Sequence, residues 1–317
     1  MQPAVETLPV PVLSVVLCTY NRAHLLAGAL DALLNQVRDT PPYEVIVVDN
    51  NSIDATRDVV GQCTGGVVHY VFEPCQGLSV ARNRGVSVAR ADLIAFTDDD
   101  VRVSADWVRS IVRVFDEHHD IDLAGGKIEP VWEAPPPPWL SEAGCAPLAL
   151  LDFGEEAFRL TPDRPIALIG ANAAVRRGAF DRAGGFSPAL QRERDGIGST
   201  EDYDFQVRLL AQDGCALYDP RILVRAPVPR ERLMKRYHRA WHSGHGRFYA
   251  LMREPAFERS RLGTVMGVPA HVYRSVVREA AGWAASLLGR RSTAAFAHEL
   301  RLRFLIAFAV QRMFQRS

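Results

Sequence analysis

The sequence is poor in several things that would have signalled other kinds of protein. Its five cysteines, Cys18, Cys63, Cys75, Cys145 and Cys215, form no CxxC pair and no Cys/His cluster at metal spacing. That pattern argues against a disulfide framework and for reduced thiols in a cytosolic setting. Residues 1–11 carry Pro3, Glu6, Pro9 and Pro11 with no basic start and no apolar core, which is unlike a secretory signal. The apolar run Phe304-Leu-Ile-Ala-Phe-Ala-Val310 falls far short of the roughly 20 residues that span a bilayer. Acids are scarce at one end only. Residues 221–317 hold 19 Lys/Arg against 5 Asp/Glu, whereas residues 1–220 hold 18 against 32. A basic tail on an acidic body is expected to meet something anionic, such as a bilayer surface or a phosphorylated substrate. Nucleic acid is not expected, because no nucleic-acid module accompanies the charge.

What is present is ordinary globular material. A hydrophobic content of 48% and a charged content of 23% over 317 residues allow one large α/β domain with an appendage, or two modest domains. Val12–Cys18, Glu44–Asp49, Val67–Phe72 and Asp92–Thr97 read as strands. The first two are continuous apolar runs of the kind found in buried parallel sheets. Helical patterns follow each of them, the first with Leu25, Leu26, Leu30, Leu33 and Leu34 on one face. Such alternation predicts a right-handed, mostly parallel sheet flanked by helices. Ligands bind such sheets outside the carboxyl ends of the strands. Three polar strand ends, Thr19–Arg22, Asp49–Ser52 and Asp98–Asp100, should therefore converge on one crevice. Three adjacent carboxylates repel one another, so Asp98, Asp99 and Asp100 need a cation, a helix N-terminus or open water. Taken alone, they could be a solvated turn before the next helix, which Ser104 and Asp106 could help to start.

A helix over 104–118 and a strand over Ile121–Gly126 continue the pattern. Pro130 to Pro165 is proline-rich and too long for an idle connection. Its Trp132, Trp139 and Phe153 favour a loop packed at the site, and a polyproline segment for a partner domain is the alternative. Regular structure resumes over Ile166–Val175, breaks at Gly184-Gly185-Phe186, and returns as an amphipathic helix over Glu201–Leu210 that Thr200 could cap. The tail is helical. Val272, Tyr273, Val276, Val277, Ala280, Trp283, Ala284, Leu287 and Leu288 make a broad apolar stripe, which either docks on the domain or lies on a membrane surface.

Collected, these pieces resemble the family 2 inverting glycosyltransferases of the GT-A fold. The resemblance covers roughly residues 12–220. It rests on Thr-Tyr-Asn-Arg at 19–22, Val-Asp-Asn-Asn-Ser at 48–52, Ala-Arg-Asn-Arg-Gly at 81–85 and Phe-Thr-Asp-Asp-Asp at 96–100. Gly-Ala-Asn-Ala-Ala at 170–174, Gly-Gly-Phe at 184–186 and Glu-Asp-Tyr-Asp-Phe at 201–205 extend it. It implies a Rossmann-like catalytic domain over 1–225 and a basic helical region over 226–317. The implied donor is a nucleotide-diphosphate sugar, UDP-linked by expectation, and the acceptor is a hydroxyl on a glycan, a lipid-linked sugar or a small molecule. Thr19, Asn21, Arg22, Asp49, Asn51, Arg82, Asp98 and Asp99 would bind the donor. Asp98 and Asp100, the acids of the DxD motif, would hold Mn²⁺ or Mg²⁺, since hard oxygen ligands suit those ions. Asp202 would be the general base that an inverting displacement needs, with Glu201 as runner-up.

One departure stands out. Where many relatives carry a metal-reaching histidine, this chain has Val224-Arg225-Ala226. His238, His242 and His245 are the candidate replacements, and 242/245 share one helical face. The expected setting is cytoplasmic, with peripheral attachment to the inner face of the cell membrane as an option. Two other readings stand beside the transferase. A nucleotidyltransferase-like enzyme would want an early glycine- and lysine-bearing phosphate loop, which Thr19–Arg22 lacks. A catalytically inert nucleotide-binding module would leave the acids vestigial.

Overall fold

The computed structural model describes residues 9–63, 66–140, 145–161, 166–168, 170–191, 197–259 and 263–315. It separates into two compact units. One comprises residues up to Val131 together with Leu150–Pro188 and Asp202–Pro227, and the other comprises Trp132–Ala149, Ala189–Glu201 and Val228–Ser317. The helical unit thus takes in more than residues 226–317, gathering two earlier segments of chain.

The first unit is built on one mixed sheet. β1 (Leu13–Thr19), β2 (Tyr43–Asp49), β3 (Val68–Phe72) and β4 (Leu93–Asp98) pair in parallel in the order β3-β2-β1-β4. β1 and β2 are buried along nearly their whole length, as their unbroken Val, Leu and Ile runs require. Each such side chain, when fully buried, contributes about 1.5–3 kcal/mol. Helix α1 (Ala23–Leu34) follows because its apolar residues recur at helical spacing. Leu26, Ala29, Leu30 and Leu33 turn to the core. Helices α2 (Thr56–Gly61) and α3 (Leu78–Val88) are the next two crossovers.

Beyond β4 the sheet turns antiparallel. The two-residue β5 (Arg102–Val103) and helix α4 (Trp107–Glu117) precede β6 (Leu123–Trp132), the short β7 (Phe158–Arg159), β8 (Asn172–Arg176) and β9 (Ala216–Val228), in the order β4-β8-β6-β9-β5, with β7 also on β9. Asn172 ties this half together. Its amide donates to the Lys127 and Ile222 carbonyls at 2.9 and 2.8 Å, and its oxygen accepts from the Trp107 indole at 2.8 Å. Gly126 permits the approach of β9, since a Cβ there would lie 1.8 Å from the Ile222 carbonyl oxygen. Helices α5 (Arg177–Ala183) and α6 (Glu201–Leu210) flank the antiparallel half. Thr200 does not cap α6. Its hydroxyl is buried with no hydrogen-bond partner among the described residues.

At the amino ends of the strands, Glu44 is buried in β2 yet satisfied. Its carboxylate accepts from Ser14 Oγ at 2.6 Å and from Arg90 Nε and backbone N at 2.6 and 2.7 Å. Burial alone would raise its pKa, but these donors hold it below the usual range.

The second unit packs α7 (Lys235–Met252), the one-turn α8 (Pro255–Glu258), α9 (Ala270–Leu288) and α10 (Ser292–Phe314), with a small hairpin of β10 (Thr264–Val265) and β11 (Val268–Pro269). Its apolar centre gathers Ala250, Val268, Val272, Leu305, Phe308 and Ala309. The proline-rich loop is divided between the units. Trp139 packs edge-on against His238 and Phe296 of the helical unit, whereas Phe153 packs on Phe158 and Tyr218 of the sheet. The aromatics therefore serve two separate cores instead of one site loop. Residues 141–144 and 162–165 of the proline-rich loop, and residues 192–196, lie outside the described residues.

Candidate active site

The order β3-β2-β1-β4 means that the chain leaves β1 in one direction and returns for β4 on its other side. The strand order reverses between β1 and β4, the point outside whose carboxyl ends such sheets bind ligands. Thr19 ends β1, and Cys18 is in register with Asp98 of β4. Across this point Thr19 Oγ1 donates to Asp99 Oδ2 at 2.7 Å, and Arg22 Nη1 donates to Asp99 Oδ1 at 2.6 Å. Asp99 is 2% exposed. Burial pushes its pKa up to about 7, against the pull of the Arg22 guanidinium. Asp99 and Thr19 thus form a buried anchor, joined by Arg22, whose side chain keeps 34% of its exposure.

The flanking aspartates are different. The side chains of Asp98 and Asp100 keep 32% and 20% of their exposure. Arg22 Nη2 reaches Asp100 at 3.0 Å, and Arg82 Nη2 lies 3.6 Å from Asp98. With its middle member locked inward, the Asp-Asp-Asp turn presents the outer two.

Arg82 is buried on α3, with its guanidinium over the Phe186 ring. It also lies against Gly170, where a Cβ would sit 2.8 Å from Nη2. The Gly170 N–H in turn donates to Asp202 Oδ2 at 3.1 Å. The chain Asp98, Arg82, Gly170, Asp202 therefore links two acid clusters more than a hundred positions apart in the sequence. Asp202 is half-buried on the first turn of α6, and Glu201 is buried at 1% exposure, which favours Asp202 as the carboxylate an acceptor could reach. Asp204 is engaged by Arg208, whose guanidinium also donates to the Ala183 and Gly185 carbonyls and so fixes the Gly-Gly-Phe turn.

The second strand end is a lattice of side chain to backbone bonds. Asp49 is buried and accepts from Ser52 N at 2.8 Å and from the Tyr70 hydroxyl at 2.7 Å. Burial, then the Asp49 carboxylate, pushes the Tyr70 phenol up to about 12. Asn21, at φ 52°, accepts from Ile53 N, and its own N–H donates to Ser52 Oγ. Asn51 takes φ 70°, a left-handed conformation that asparagine tolerates better than most residues. Asn50 is buried and holds the β3–α3 loop through Glu73, Cys75 and Gly77.

Asn50, Tyr70 and Gly170 were not assigned roles from the sequence. Asn50 had a readable signal, a polar residue at the end of a buried strand. Tyr70 and Gly170 had none, because their partners are set by tertiary contact.

His242 and His245 are on α7, in the helical unit. The Nδ1 of His242 meets the His238 carbonyl of its own helix at 2.9 Å, and His245 stacks on Trp241 at 4.1 Å and also packs on Tyr249. Burial pushes the His245 pKa down to about 3. Packing among aromatic rings accounts for both residues, and neither joins a group of three or more His, Cys, Asp or Glu that could hold a metal among the described residues. Ala226, at the position of the missing histidine, is buried within β9.

A family model described as glycosyl transferase family 2 matches residues 14–184, more than half of the chain. The chain belongs to this family. It is 29% identical over 212 residues to the glucosyl-dolichyl phosphate glucuronosyltransferase of Haloferax volcanii, a match covering 63% of this chain and 64% of that protein, just under two thirds. It is 27% identical over 246 residues to the succinoglycan biosynthesis protein ExoM of Rhizobium meliloti, covering 74% of each. Among solved structures, a Pyrobaculum calidifontis mannosyltransferase in complex with GDP-Man and Mn²⁺ superposes with a TM-score of 0.63 at 19% identity, covering 97% of this chain and 88% of that one. The fold is therefore GT-A, a mostly parallel sheet flanked by helices with a helical C-terminal region.

Proposed function

We propose that this transferase moves a sugar from a nucleotide-diphosphate donor, UDP-linked in the first instance, to an acceptor hydroxyl with inversion at the anomeric carbon. The observation that carries the reading is the Asp98–Arg82–Gly170–Asp202 chain. It connects a partly exposed carboxylate of the Asp-Asp-Asp turn, through the Arg82 guanidinium and Gly170, to the separate partly exposed carboxylate of Asp202. Arg82 and the outer aspartates face the diphosphate, and the lattice around Asp49, Asn21 and Asn51 faces the base. Asp202 takes the proton from the acceptor hydroxyl as it attacks, and the Gly170 N–H holds that carboxylate in position.

Asp98 and Asp100 suit Mn²⁺ or Mg²⁺ in one respect, because their oxygens are hard donors that remain partly exposed. With no third protein ligand grouped beside them among the described residues, phosphate oxygens and water would complete the coordination. A divalent ion held there supplies charge neutralisation for the leaving diphosphate.

A panel of nucleotide sugars scored by thermal shift with and without Mn²⁺ tests the proposal, since a bound donor raises apparent stability. A metal-dependent shift with one nucleotide class is expected. No shift with any donor would defeat the reading.

A further inference from the structure

Helix α9 divides its apolar residues between two sides. Val272 is buried, and Tyr273 and Val276 pack on the same core, but the rest of the inward side is polar or small. Glu279 is 4% exposed, Ser286 is buried, and Gly282 lies against the His298 ring of α10. The outward side carries Val277 at 70% and Leu288 at 87% exposure, with Leu287 next to Leu288, and Trp283 lies partway round the helix at 37%. Val277, Ala281, Ala284 and Leu288 follow one another at helical spacing and form a continuous apolar line. The rotation is fixed by chemistry. Glu279 Oε2 meets His298 Nδ1 at 2.8 Å, and Arg278 and Arg301 flank the same carboxylate at 3.2 and 3.8 Å. Turning the stripe inward would strip a buried carboxylate of these partners, which is a costly exchange.

We propose that this outward face of α9 docks on an anionic lipid surface. The stripe is about 17 Å long at 1.5 Å per residue, too short to cross a bilayer but suited to lying in its interface. No helix among the described residues is long and apolar enough to cross a membrane. The flank of the stripe is basic. Arg274 and Arg278 are exposed beside it, and Arg290 and Arg291 are exposed just past its end, where they would meet anionic headgroups. The same arginines argue against a second copy of the chain, because a two-fold contact through this face would set like charges against one another. Trp283, half out of the helix surface, suits the boundary between headgroup and acyl chain. Helix α10 carries a second exposed apolar series, Ile306, Val310 and Phe314, with Arg303 one turn earlier.

The test is co-sedimentation of the full chain with vesicles of phosphatidylcholine alone or mixed with phosphatidylglycerol. Binding is expected to the mixed vesicles, about tenfold weaker to phosphatidylcholine alone, and to fall as salt rises. Val277→Glu combined with Leu288→Glu should lower binding about tenfold or more, and Trp283→Ala should lower it to a lesser degree. Both variants change exposed residues, so far-ultraviolet circular dichroism melts should match the wild type. Failure of the wild type to bind mixed vesicles would overturn the proposal, as would full binding by the double variant. A concentration-dependent dimer in sedimentation velocity that the double variant abolishes would assign the face to a second copy instead.

Discussion

The carboxyl ends of the sheet and the outer face of α9 solve opposite problems. At the sheet, Asp99, Asp49 and Asn50 are buried and bonded so that Asp98, Asp100 and Asp202 can remain accessible. On α9, Glu279 is buried and bonded so that Val277 and Leu288 can remain accessible. Each region sacrifices part of its polar inventory to the interior to fix what it shows outside. A polar ligand is the natural counterpart of the first surface and an apolar one of the second. The lesson is that burial of a charge is as informative about the neighbouring exposed group as about the charge itself.

The contrast is broken most severely at the outer aspartates. Asp98→Asn together with Asp100→Asn should lower kcat/KM on the order of a thousandfold and abolish the metal-dependent thermal shift with donor, while leaving the Asp99 anchor in place. A smaller loss follows from Gly170→Ala. The added methyl must displace the Arg82 guanidinium, and a misplacement of this kind costs about a hundredfold in kcat. Steady-state assays at saturating donor would check it, and an unchanged kcat would show that the seating of Arg82 against Gly170 does not matter to the reaction.

The smallest effect sharpens the helical side. Burial holds the His245 pKa at about 3, below its unfolded value of 6.5. The unfolded chain therefore binds the proton first, so the stability due to neutral His245 is present above pH 6.5 and is lost as pH falls toward 3. Between pH 7 and pH 5 the loss is about 2 kcal/mol. His245→Phe should flatten that part of the denaturation profile and leave Mn²⁺-dependent donor binding unchanged. A weakened metal response in that variant would return His245 to the candidate ligands.

The sequence made much of this legible. β1 and β2 were readable as buried parallel strands because nothing polar interrupts them except Ser14 and Glu44, which satisfy each other. The crevice was readable because Thr19, Asp49 and Asp98 each close an apolar run. What was not readable depended on partners far along the chain. Trp139 looked like a site residue, but its partner is Phe296. The apolar stripe of α9 suited either docking or a membrane surface, and which of its residues turn inward depends in part on the Glu279–His298 pair. The histidines at 242 and 245 had the spacing for a metal, and Trp241 and Tyr249 give them a different use. Local periodicity identifies elements, while the rotation of each element about its axis is set by tertiary pairs that periodicity does not encode.

The central claim is a division of labour, with Asp98 and Asp100 serving the leaving group and Asp202 serving the nucleophile. The most direct test is the single-turnover transfer rate of Asp202→Asn with donor and Mn²⁺ already bound. The account predicts unchanged donor affinity and a rate lower by about 10²–10⁴-fold. Transfer at the wild-type rate would contradict it.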